Sequence, residues 1–155
     1  MITRTSLFIS LFIGSALYGQ SIPRDSTTPD FSCLHPSSVT IALTYVPSLL
    51  LDECSQNLVH LKNDSIELKL LEFMKDSTLI LPVHVILTER HHISSSLSES
   101  FQYKNDSLIG FVFTFNKLVW SKNASTGEIS LSEKSIQKCQ LYWRKKILKH
   151  RNEGG

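Results

Sequence analysis

Apolar positions recur along this chain with two different periods. Leu50, Cys54, Leu58 and Leu61 return at helical spacing, with Leu51 and Val59 widening the stripe. That pattern predicts a helix from Pro47-Ser48 to about Lys62. Just before it, Val39 to Val46 is β-branched and apolar, and reads as a short strand or as the start of a helix. Residues 66–76 fit two templates. Ile66, Leu68 and Leu70 alternate with Glu67 and Lys69 as in a strand, while Ile66, Leu70, Phe73 and Met74 share one helix face. The good helix formers Leu, Glu, Lys and Met favour the helix.

Thr78 to Thr88 is apolar on both alternating faces and predicts a buried strand, with Pro82 marking an edge or a bulge. His91 to Ser100 is polar and serine-rich, as in a loop. Phe101 to Phe115 returns to strand material, with Ile109, Phe111, Phe113 and Phe115 on one face and Gly110, Val112 and Thr114 on the other. Leu118 to Lys122 and Glu128 to Leu131 flank a loop ending in Gly127, a hairpin signal. Ser130 and Glu133 have capping-box spacing, and a closing helix is expected from there to about His150. Its apolar stripe is Ile136, Cys139, Trp143 and Ile147.

These elements predict an α+β fold. An antiparallel meander of about four strands is covered by an N-terminal helical region and a C-terminal amphipathic helix, a two-layer arrangement. One such domain is expected over 37–151, followed by a short tail at 152–155. Its roughly 120 residues suffice to hide about two-thirds of the unfolded surface, so folding needs no metal or partner.

The first residues carry an address. Arg4 and the amino terminus precede an apolar run from Leu7 to Leu17, too short to span a bilayer comfortably. Small residues stand near its end, at Ala16 and Gly19, and cleavage after either fits a secretory signal, expected over 1–19 for the cut after Gly19. The segment resembles export signals of Bacteroidota-type bacteria, with Gln20 following the cut. Residues 20–36 hold three Pro and many Ser and Thr and read as a flexible lead-in. Periplasmic or extracellular localisation is expected, with no transmembrane helix once the signal is removed.

Composition narrows the class. The 155 residues are 41% hydrophobic and 19% charged, with a formal charge of +2, which excludes collagen, coiled-coil rods and a wholly disordered chain. Export permits a disulfide. Cys33, Cys54 and Cys139 are odd in number, so at most one bridge forms within the chain. Two or three buried, reduced thiols acting as small hydrophobes are the favoured reading. No CxxC pair, phosphate-cradling glycine loop or dinucleotide fingerprint occurs, so no metal or cofactor is expected.

Candidate chemistry is sparse. His84, His91 and His92 are the histidines nearest to a serine cluster at Ser94, Ser95, Ser96, Ser98 and Ser100. His84 and His92 would lie about 26 Å apart on an extended strand, beyond the reach of one metal ion. No GxSxG elbow accompanies the serines. A core histidine at 84 and a loop pair at 91 and 92 are expected. Asp52-Glu53 near a helix start is explained by the helix dipole.

Charge asymmetry is clearer. Between Glu133 and Glu153 seven cationic residues face two acids, whereas residues 20–132 hold eight cations and twelve acids. Arg144, Lys145, Lys146, Lys149 and Arg151 are the candidate binding residues, for an acidic protein, a glycan or an anionic surface. The export signal disfavours nucleic acid. The triplets beginning at Asp25, Asp64, Asp76 and Asp106 resemble the short O-glycosylation motif of exported Bacteroidota proteins, which implies modification of Ser26, Ser65, Ser77 and Ser107. The expectation is a small exported, non-catalytic binding domain of the bacterial cell envelope. A secreted hydrolase using His84, His91 or His92 is one alternative, and docking on an anionic surface through the basic helix is the other.

Overall fold

The computed structural model describes residues 28–42, 48–63 and 65–153, with the backbone alone at 150, 151 and 153. The export signal expected over 1–19 and the candidate Ser26 lie outside the described residues. From the lead-in onward, Phe31 packs against Phe73 and Leu34 is buried in the core.

A short 3-10 turn, Pro36–Ser38, leads into β1 (Val39–Ala42), which pairs antiparallel with β2 (Ser48–Leu51). Three helices follow: α1 (Glu53–His60), α2 (Ser65–Phe73) and α3 (Ile80–Arg90). The meander is β3 (Leu97–Lys104), β4 (Ser107–Phe115), β5 (Leu118–Asn123) and β6 (Ile129–Leu131), hydrogen-bonded in that order. The closing helix α4 runs Glu133–Glu153. The fold is therefore α+β, with a four-stranded antiparallel sheet and a C-terminal helix.

Four expectations about the elements need correction. The helix expected from Pro47 begins only at Glu53, because Ser48–Leu51 is taken up by pairing with Val39–Ala42. Asp52 then caps the helix, its carboxylate accepting the Ser55 amide at 2.7 Å. The strand expected over Thr78–Thr88 is helix α3. Its residues Ile80 through Thr88 are all buried, and a helix apolar on every side belongs in the middle of a core. Pro82 sits in its first turn, where a missing amide N–H costs nothing. The cap of α4 is Ser132 rather than Ser130, since the Ser132 hydroxyl and carbonyl receive the Ser135 amide. The loop expected through Ser100 ends at Leu97, where β3 starts.

Helix α3 is the axis of the molecule. It touches α1, α2, α4, the 3-10 turn and the β1–β2 hairpin. One face of the sheet closes the same core, resting on α4 through β5 and meeting α3 where His84 reaches Phe115, with Leu97, Phe113, Phe115, Leu118 and Trp120 all buried. Cross-strand pairing puts these side chains on the same face: Leu97 opposite Phe115, Phe113 opposite Trp120, Phe115 opposite Leu118. Two-residue turns close the hairpins at Asn105-Asp106 and Asn116-Lys117, all four with positive φ. Gly110 is required by close approach, since a Cβ there would meet the Lys122 carbonyl oxygen at 2.8 Å.

Cys33 and Cys54 form a disulfide and Cys139 is a free, buried thiol. The favoured reading of two or three reduced thiols is thereby corrected to one, Cys139, beside the single bridge that export permits. The bridge ties the segment before β1 to the first turn of α1. Replacing both Cys33 and Cys54 by Ser is expected to lower the unfolding free energy by about 3 kcal/mol, the loop-closure value for a bridge spanning 21 residues. The urea midpoint measures this; a double variant with the wild-type midpoint would show that the tether contributes nothing.

Candidate functional site

Helix geometry brings His84 of α3 against Cys139 and Trp143 of α4. The Trp143 indole N–H donates to His84 Nδ1 at 2.7 Å, and the Cys139 sulfur lies 3.2 Å from the same nitrogen. Nδ1 is thus the acceptor, so the neutral ring carries its proton on Nε2, which donates to the Phe115 carbonyl at 3.0 Å. The cluster joins the axis helix, the closing helix and the end of β4. Cys139 and Trp143 occupy successive turns of the apolar stripe that the sequence predicts for α4.

This cysteine–histidine pair looks like a nucleophile and its base, but its environment reverses that chemistry. Burial pushes the Cys139 thiol up to about 12, against a smaller opposing effect of its contact with Trp143. Burial likewise pulls the His84 imidazole down to about 4, and only the bond to the Phe115 carbonyl opposes this. A thiolate and an imidazolium are both disfavoured here, whereas cysteine catalysis needs the thiolate. Both residues have zero exposure. The cluster is a polar joint inside the core, with every ring nitrogen satisfied.

A pH dependence follows. The unfolded histidine takes up a proton near pH 6.5 and the folded one only near pH 4. Between these values the unfolded state binds more protons, so stability rises with pH. The contribution is complete above about pH 6.5 and falls by about 3 kcal/mol as the pH drops to 4. Urea titrations across this window should show the slope, and His84→Gln should flatten it. An unaltered slope in that variant would assign acid sensitivity to other groups.

His91 lies in a second polar layer just outside. Its Nε2 is 3.3 Å from Glu67, and its ring leans on Trp143 at 5.5 Å. Arg90 reaches past Glu67 and donates to the carbonyls of Leu58, Val59 and Leu61 at 2.6, 3.1 and 2.8 Å, capping the end of α1. His92 is exposed, with a φ of 49°, and lines a shallow cleft with His60, Lys62 and Glu89. Burial raises the Glu89 carboxyl above its usual range, and His60 opposes the rise. The three histidines therefore do not share a site.

Ser95 and Ser96 line a different cleft of about 360 Å³ with Thr88, Glu89 and Phe115. The Ser98 hydroxyl is turned to the Thr114 carbonyl. Among the described residues no three His, Cys, Asp or Glu side chains are grouped to hold a metal ion.

Large apolar and charged surfaces lie elsewhere. Phe113 and Phe115 are core, but the aromatic row continues through Phe111 to Phe101, with ring centroids 5.7 Å apart, beyond the helical cover. Phe101 is 57% exposed and Tyr103 65%. Both belong to β3, which is an edge strand. The sequence hints at this patch only through alternation in a segment rich in serine.

On α4, Arg144, Lys145 and Lys149 are exposed and Lys146 is half-buried, while the side chain of Arg151 lies outside the described residues. Leu141 and Leu148 are 53% and 45% exposed on the same helix. Beside it, Leu68, Leu71, Met74 and Leu148 line a groove of about 480 Å³, with Glu72, Lys75 and Arg144 also around it. The candidate acceptors Ser65, Ser77 and Ser107 are all exposed, and the Ser65 hydroxyl donates to Asn63 at 2.6 Å. Among the described residues no helix is long and apolar enough to cross a membrane. No protein-family model, curated protein or solved structure matches the chain.

Proposed function

We propose that this chain is a small exported, non-catalytic binding domain of the bacterial cell envelope. The observation that carries the reading is the contrast between its interior and its surface. The histidine best placed for chemistry is locked, neutral and dry, against a thiol that resists ionisation. Meanwhile the open edge of the sheet leaves Phe101 and Tyr103 largely in solvent. Exposed aromatics on an edge strand suit recognition of an extended chain by strand addition. The Cys33–Cys54 bridge suits an oxidising compartment outside the cytoplasm. Exposed hydroxyls at Ser65, Ser77 and Ser107 leave room for surface glycans there.

The test is a screen of the folded protein against peptidoglycan, glycan and ester substrates. Absence of turnover, with cell-envelope material crosslinking to a photoreactive residue placed at Phe101, supports the reading. Turnover abolished by substitution of His92, Ser95 or Ser96 overturns it in favour of a hydrolase.

A further inference from the structure

We propose that the solvent face of α4 docks flat on an anionic lipid bilayer. This deepens the reading of the chain as an envelope binding domain, on which it rests, by naming one partner. At about 100° per residue, Leu141 and Leu148 fall within about 20° of each other and about 10 Å apart along the helix axis. They form a short apolar line on the side of the helix away from Cys139, Trp143 and Ile147, which are buried in the core, with Leu148 also at the rim of the groove beside α2. Lys134, Lys138 and Lys145 flank that line on one side and Arg144 on the other, all exposed.

The acid in the first turn, Glu133, accepts a hydrogen bond from Gln137 at 3.1 Å. The neighbouring Glu72 is paired with Lys69 at 2.7 Å. Lys117, stacked over Tyr142 at 4.3 Å, adds a further cation beside the helix. The face therefore presents two exposed leucines among exposed cations, three on one side and one on the other.

Helix-dipole complementarity accounts for cations in the last turn only, and it does not account for the exposed surface of Leu141 and Leu148. A cation-flanked apolar line is the pattern of a helix lying in a membrane interface. The leucines enter the acyl boundary there, and the long lysine stems reach up to phosphate oxygens. Anchoring of the opposite face in the core holds the helix ready, so binding requires no folding step. An acidic protein would be drawn by the same cations but would not need the leucines at the centre.

Vesicle sedimentation of the full chain distinguishes these cases. The protein should pellet with phosphatidylglycerol-containing vesicles, not with pure phosphatidylcholine, and less at high salt. Lys138→Glu with Lys145→Glu should weaken binding at least about tenfold. Leu141→Ser with Leu148→Ser should weaken it by about fivefold while circular dichroism stays unchanged.

Three results overturn the proposal: equal binding to neutral vesicles, no binding to anionic vesicles, or full binding by the leucine variant. In the last case, retention of polyaspartate by the leucine variant and loss by the lysine variant would point to an acidic protein partner. None of these results involves substrate turnover, so failure of the docking and failure of the non-catalytic reading are told apart.

Discussion

Trp143→Ala is expected to lower the unfolding free energy by about 5 kcal/mol, most of what a domain of this size has to lose. Trp143 is fully buried and touches three other rings, those of His84, His91 and Tyr142, with centroids 5.0 to 5.8 Å away. Truncation removes a fully buried contact between α4 and the axis helix and opens a cavity that close-packed neighbours fill only in part. It also removes the N–H donor to His84 Nδ1, worth about 1 kcal/mol. Trp143→Phe separates the two effects. It keeps most of the ring, and Cys139 still lies 3.2 Å from the same nitrogen, so a loss of about 2 kcal/mol is expected. The urea midpoint at constant slope gives both values. Equal losses in the two variants would mean that the hydrogen bond, not the packing, holds α4 in place.

The later strands of the meander and the closing helix are legible in the sequence because their signals are local. Alternation in β4 and the Gly127 loop each sit within a few residues, and Cys139, Trp143 and Ile147 repeat at helical spacing. The axis helix is not legible by periodicity, for a physical reason. Once every face is buried, the stripe that distinguishes a helix from a strand disappears. Its eleven residues, long for a strand, and a proline at the third of them are the remaining clues. The β1–β2 pair is hidden because Leu50 and Leu51 also continue the stripe of α1 backwards. Only the partner strand Val39–Ala42 decides the matter.

The polar joint is harder still. Its members are 55 and 59 residues apart in sequence, and nothing local marks Cys139 or Trp143 as partners of His84. The exposed leucines of α4 escape notice for the opposite reason. A stripe search follows the buried face, so two apolar residues on the far side read as noise until their exposure is known.

Arg90 carries the second large effect. Its guanidinium closes the end of α1, where the last carbonyls of a helix have no amide of their own. Three of the carbonyls in that turn, those of Leu58, Val59 and Leu61, converge on one Nη atom from a side chain only 9% exposed. Arg90→Met keeps the apolar stem but takes the donor from the Leu58 and Val59 oxygens, the Leu61 oxygen keeping the Asn63 amide at 3.0 Å, and leaves Glu67 without the cation 4.0 Å away. A loss of about 4 kcal/mol is expected, the range seen when one partner of a buried charged network is removed. Arg90→Lys should recover less than half of it, because a single ammonium at the end of a shorter stem cannot match the reach of a planar fork. Amide exchange distinguishes this from a general loss of packing. In Arg90→Met, α1 should open first and α4 last, since α1 loses its cap while the Trp143 joint stays intact. Uniform acceleration across both helices would show instead that the arginine supports the whole core, and that the end of α1 is closed without it.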